Sequence, residues 1–294
     1  MNEKTKACIA ISFVNVLWGL SFIASKSALG NGFRPFSLAF VRFAVATVLL
    51  FPVLKKRRGS LRPPKGVMPL MLLSALLGMT LYFLFEYGGL ERTSASTASL
   101  IIAAIPAFTL LFGRMFKGRR YRPVCYAGVV SSLAGVFLIV RYQSGQGTDT
   151  LAGSAMLLGA VLCWVGYIET TDILMRRCTS LEVTAWQSAL GALTLLPCAL
   201  TDRLDWGAVT LTGWLMALYL AVLCSVVAYL LYVGAVHQLE PFRAALFINL
   251  NPLAAVLGGV LLLGESLNPM QLVGGAIVLV SIFLVNRGSA AQAG

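Results

Sequence analysis

Residues 97–118 read TASLIIAAIPAFTLLFGRMFKG, and residues 243–264 read RAALFINLNPLAAVLGGVLLLG. Both runs are apolar, both carry a proline near the middle, and their landmarks coincide. At a shift of 146, Pro106 falls on Pro252, Gly113 on Gly259 and Gly118 on Gly264. A bilayer core about 30 Å thick takes about 20 mainly apolar residues of helix to cross. Each run therefore predicts a spanning helix. A strand would leave backbone groups unpaired in lipid, which is costly.

Working outward, eight more runs of this kind appear. The ten are 7–29, 36–54, 67–89, 94–116, 124–140, 151–171, 181–200, 209–236, 242–263 and 270–285. Short connections join them, marked by Asn31-Gly32, Pro63-Pro64, Gly145-Gln146-Gly147 and Asn268-Pro269. Of the 294 residues 58% are hydrophobic and only 12% charged, where a soluble domain carries about 25% charge. A soluble domain is excluded, and so is a disordered chain. The first run is too long for a signal-peptide core and reads as a retained helix. The six cysteines stand singly and read as packing residues. With His237 as the one histidine, no histidine-based zinc site can be assembled.

The repeat extends over the whole chain. The same shift aligns Trp18 with Trp164, Gly88 with Gly234, Pro123 with Pro269, Gly128 with Gly274 and Phe137 with Phe283. Two halves are expected, 1–145 and 146–294, each of five helices. Five is odd, so the second half lies upside down relative to the first. That is the architecture in which one bundle rocks against another about a central site. The expected fold is an all-α integral membrane protein with ten helices in two inverted repeats. Lysine and arginine set its orientation. With the N-terminus inside, 17 of 23 fall on the cytoplasmic side and four (Arg34, Arg92, Arg141, Arg203) opposite, while Lys26 and Arg42 lie within helices. Both termini are expected in the cytoplasm. The net charge of +12 follows from topology, with no nucleic-acid partner implied.

Certain short stretches resemble the drug/metabolite transporter superfamily, in its ten-helix branch of two EamA-type repeats. They are Leu17-Trp18-Gly19, Arg42-Phe43, Glu86-Tyr87-Gly88-Gly89-Leu90, Thr93-Ser94-Ala95-Ser96, Leu263-Gly264-Glu265-Ser266-Leu267 and Gln271-Leu272-Val273-Gly274-Gly275. The likeness runs from about residue 8 to 286. It implies a secondary carrier, often an exporter of amino acids, metabolites or drugs across the bacterial inner membrane.

Charges inside the membrane are costly and mark pathways. Lys26, Arg42 and Glu86 fall in the outer third of their helices and are expected to share one outward vestibule, as gate or coupling residues. The alternative is a structural ion pair or snorkelling ends. Glu169 and Asp172 fall in the inner third of the sixth helix, making that vestibule acidic. Aromatic faces supply the expected cavity wall: Trp18 with Phe22, Tyr82 beside Glu86, Trp164 with Tyr167, Trp186, and Tyr229 with Tyr232. Such rings box an amphiphilic or cationic substrate, or belong to the interfacial belt. Pro106 and Pro252 are expected as kinks near the depth of a central cavity, with Asn249 and Asn251 flanking the second. Each proline removes a backbone donor and frees a carbonyl.

A secondary-active transporter is the expected function, exporting amino acids or related small metabolites or drugs. An uptake carrier or facilitator for a small organic cation is the alternative, and a membrane-embedded enzyme lies further off. Nothing matches G-x-x-x-x-G-K-[ST], so ATP drive within the chain is unsupported. No catalytic residue, metal or cofactor is expected. The partners are a small-molecule substrate and the bilayer, and a monomer is expected rather than an obligate oligomer.

Overall fold

The apolar runs fold as helices whose ends fall where the sequence places caps and turn residues. The computed structural model describes residues 3–118, 121–141, 150–239, 241–264 and 268–290. The principal helices are α1 (Glu3–Gly30), α2 (Pro35–Arg58), α3 (Met68–Leu90), α4 (Ala95–Lys117), α5 (Pro123–Arg141), α6 (Leu151–Leu174), α7 (Ser180–Thr201), α8 (Leu211–Leu239), α9 (Arg243–Leu263) and α10 (Pro269–Ala290). Eight are long and apolar enough to cross a membrane; α5 and α10 carry shorter apolar stretches, Pro123–Gly135 and Leu272–Ser281, among the described residues. Ser94, Thr150, Thr179 and Thr210 each accept a backbone N–H at a helix start, satisfying donors a helix leaves open. At Thr179 this is a full capping box with Glu182. Gly59 and Gly118 close α2 and α4 at φ of +73° and +61°, a conformation suited to glycine. The 145–147 turn and Glu265-Ser266-Leu267 lie outside the described residues.

Bonds between connections sort the helix ends onto two faces. On one, Thr210 donates to the Asn31 carbonyl, Thr150 donates to the Arg92 carbonyl, and Ser37 bonds Asp202. On the other, Arg58 pairs with Glu182, Lys117 with Glu169, and Asp172 with Arg176 and His237. Hence α1 ends on the face where α6 begins, and the two halves are inverted. Packing follows the same pseudo-two-fold. α2 lies on α7 and α5 on α10, while α1 packs on α8 and α9 as α6 packs on α3 and α4. At the α5–α10 crossing a Cβ on Gly135 would stand 2.6 Å from the Gly274 carbonyl oxygen, so glycine sets that close approach.

Two irregularities recur in both halves. α3 winds as a π-helix over Leu76–Leu81 and α8 over Leu220–Val227. α4 breaks at Ala103–Ala104 before its second segment, Ile105–Lys117; α9 tightens to a 3-10 turn at Phe247–Asn249 before Leu250–Leu263. Pro106 and Pro252 sit in the first turn after each break, where a missing N–H costs little. They stand after the breaks they cause, rather than at the centre of a continuous kinked helix.

Candidate functional site

The breaks in α4 and α9 meet at one cavity. Pro106 has no N–H for the carbonyl of Ile102, and Pro252 none for that of Ile248. Those two isoleucines, repeat mates, both line the cavity. Three further mated pairs complete the shared part of the wall: Trp18 with Trp164, Phe83 with Tyr229, and Ile105 with Asn251. The remaining lining residues, Ser21, Phe22, Arg42, Tyr82 and Glu86, all come from the first repeat. The walls are nearly closed on one another: only about 20 Å³ between them is open to a water-sized sphere, far below the roughly 300–1,000 Å³ usual for small-molecule sites.

A π-turn holds one of the two indoles, and a tyrosine hydroxyl holds the other. At the end of the π-turn in α8, the Ala228 N–H bonds Leu223 five residues back, bypassing the Cys224 carbonyl. Trp18 Nε1 donates to that carbonyl at 3.1 Å. Trp164 Nε1 donates to the Tyr232 hydroxyl at 3.3 Å. The two indoles meet edge to face at 5.3 Å, with Tyr232 4.8 Å from Trp18 and Tyr82 4.7 Å from Trp164, separations at which aromatic pairs attract. Gly19 makes room for this. A Cβ there would stand 2.7 Å from the Ala254 Cβ, so glycine lets α9 approach and bring Asn251 beside Trp18.

Arg42 is 2% exposed and Glu86 3%. The guanidinium donates to Ser225 through Nε and to the Tyr87 hydroxyl at 3.1 Å. It also lies 4.5 Å from the centre of the Phe83 ring, a cation–π contact. Ser225 is positioned by its own bond to the Leu220 carbonyl at 3.0 Å, across the π-turn. Glu86 has Tyr82 and Arg42 as polar neighbours, yet it closes no ion pair with Arg42. A wall with both signs of charge, unbridged, faces the cavity.

The other sequence candidates stand elsewhere. Lys26 does not join the Arg42–Glu86 wall; its Nζ donates to the carbonyls of Leu90 and Thr93 at 2.7 and 2.6 Å. It caps the end of α3, as a cation favours a helix C-terminus. Trp186 packs on Phe51 at 5.3 Å, between α2 and α7 and away from the cavity. Tyr167 and Tyr232 form a second layer behind the lining. Pro106 and Pro252 are buried but leave the lining to Ile102 and Ile248. The side chain of Asn249 lies outside the described residues. Glu169 and Asp172 are taken up in ion pairs, so the inner end is not an acidic vestibule. Sequence reasoning passed over Tyr87, Phe83, Ile102 and Ile248 as wall or wall-bracing residues. The isoleucines were findable, since each stands four residues before a mated proline.

Residues 5–141 and again 151–287 match the EamA-like transporter family. An uncharacterized transporter of Archaeoglobus fulgidus is 31% identical over 288 residues, covering 97% of this chain and 98% of its own. A probable terminal-alkyne amino-acid exporter of Streptantibioticus cattleyicolor is 28% identical, covering 97% and 95%. A solved structure, 19% identical, superposes with a TM-score of 0.72 over 99% of this chain and 100% of that one, which speaks for the fold alone. The family matches each half in turn, as the inverted repeats require; this chain is a multi-pass membrane protein and belongs to the EamA-like transporter family.

Proposed function

We propose that the protein is a secondary-active carrier that exports amino acids or related small metabolites by alternating access. The pair of proline breaks carries this reading, because repeat mates in α4 and α9 flank one cavity walled by both halves. Inverted repeats that rock about such a site open it to each side in turn, and breaks are where helices bend. A relative named for amino-acid export supports the substrate side. An uptake carrier or facilitator for an organic cation is the second reading, favoured by Glu86 beside stacked rings. Arg42 in the same wall weighs against it. The carrier acts as a monomer, without cofactor or chemical step. Proteoliposomes preloaded with unlabelled amino acids should transiently accumulate labelled ones by counterflow. Failure across amino acids, amines and small drugs would refute the carrier.

The carrier sits in the inner membrane with both termini cytoplasmic, because lysines and arginines crowd one face. With the six native cysteines replaced, Ser60→Cys should resist an impermeant thiol reagent in intact cells and react after lysis. Labelling of sealed cells would reverse the orientation.

A further inference from the structure

We propose that the cavity is built for a compact zwitterion: its carboxylate at Arg42 and Tyr229, its ammonium at Glu86 and Asn251, its side chain apolar. The inference deepens the carrier reading and rests on it for transport, though not for binding. Its first support is a pair of orphaned atoms. The Tyr229 hydroxyl and the Asn251 Oδ1 are buried and have no hydrogen-bond partner among the described residues. Their residues are 1% and 4% exposed, and both line the cavity. Buried polar atoms usually find a partner in the protein or in ordered water. Here one can donate and the other accepts, a matched need for a ligand that offers both.

The second support is the unbridged pair of charges. Arg42 spends Nε and one terminal nitrogen on Ser225 and Tyr87, and no described carboxylate pairs with it. A guanidinium carries five N–H donors, so donors remain for a bound carboxylate. Glu86 likewise keeps acceptor capacity for an ammonium. A ligand with one charge would satisfy half of this wall and leave the other half desolvated, and a site with buried polar groups rejects analogues that leave them unpaired. Much of the remaining wall is apolar, with Phe22, Phe83, Ile102, Ile105 and Ile248, which suits an apolar side chain.

The test uses the full chain in detergent micelles with three matched probes. L-Norvaline has both charges, n-butylamine lacks the carboxylate, and pentanoate lacks the ammonium. Calorimetry should find norvaline binding at least roughly tenfold more tightly than either, as expected when a hydrogen-bonded charge is lost. Tyr229→Phe and Asn251→Leu should each weaken norvaline by roughly fivefold or more without lowering the ligand-free Tm, since the atoms removed bond nothing in the fold. Amine or acid binding as tightly as norvaline would overturn the proposal, as would no binding of any probe. Unchanged norvaline affinity in both variants would overturn it too. Butylamine counterflow with those results would keep the carrier and sink the zwitterion site. Norvaline binding without counterflow would keep the site and sink the carrier.

Discussion

Arg42 and Gln187 occupy corresponding places in the two repeats, one residue from exact register, and their surroundings differ in kind. Arg42 reaches across to α8 and α3, and its charge faces a cavity. Gln187 is enclosed by neutral groups. Its Nε2 donates to Ser74 at 2.7 Å and to Thr171 at 3.2 Å, and its Oε1 accepts from Tyr167 at 3.4 Å. Thr170 adds a bond to Ser74 at 3.0 Å. The second cluster satisfies itself, knitting α3, α6 and α7 together below the indoles. A closed neutral network rigidifies what it joins, whereas a buried charge without a counter-ion is costly until one arrives. One fold position thus belongs to a closed network in one half and to a cavity wall in the other.

The largest effect should come from exchanging the two for apolar residues. Arg42→Leu should lower counterflow by roughly a hundredfold or more, the loss of charge-assisted bonds. Gln187→Leu should fall by less than about tenfold, since Ser74 and Thr171 still bond each other. Equal losses would erase the contrast between wall and seal. Glu86→Gln comes next. It keeps the shape but not the charge, and counterflow should fall by about tenfold along with gradient-driven flux. Full counterflow with only the pH-driven flux lost would instead make Glu86 a proton relay. Intact activity in both assays would leave it a dispensable charge. Smallest are Pro106→Ala and Pro252→Ala, which restore donors to Ile102 and Ile248. Each should slow turnover a few-fold and shift stability by less than about 1 kcal/mol, because proline in a first turn costs little. Unequal slowing would show which half bends more.

Helices, inversion and the cavity-bearing spans were legible in sequence because each rests on periodicity, length or a repeated landmark. Proline and tryptophan mates stood out for the same reason, and the tryptophans line the cavity. The π-turns were not legible: Leu76–Leu81 and Leu220–Val227 are ordinary apolar sequence, and an extra residue per turn leaves no compositional mark. Without them, the attachment of Trp18 to Cys224 could not be foreseen. Lys26 was misplaced for another reason. Depth along a helix tells which end a charge is near, but not which neighbour it meets, and Lys26 meets the carbonyls of Leu90 and Thr93. Trp186 misled similarly, since adjacency to Gln187 puts it on a different side of α7.

The inverted repeats also set a condition on insertion. Two copies of one ancestral half insert opposite ways up only if that ancestor lacked a strong charge bias, because lysine and arginine pin a segment to one orientation. In the present chain most of the basic residues stand at non-equivalent positions, Arg287 with its mate Arg141 and Arg203 with its mate Arg57 being exceptions. The first half carries them at 55–65 and 114–122, the second at 176–177, 243 and 287. The counterpart of the 55–65 cluster in the second half holds only Arg203. By that rule the two halves, unequal in their basic clusters, are no longer interchangeable in the membrane.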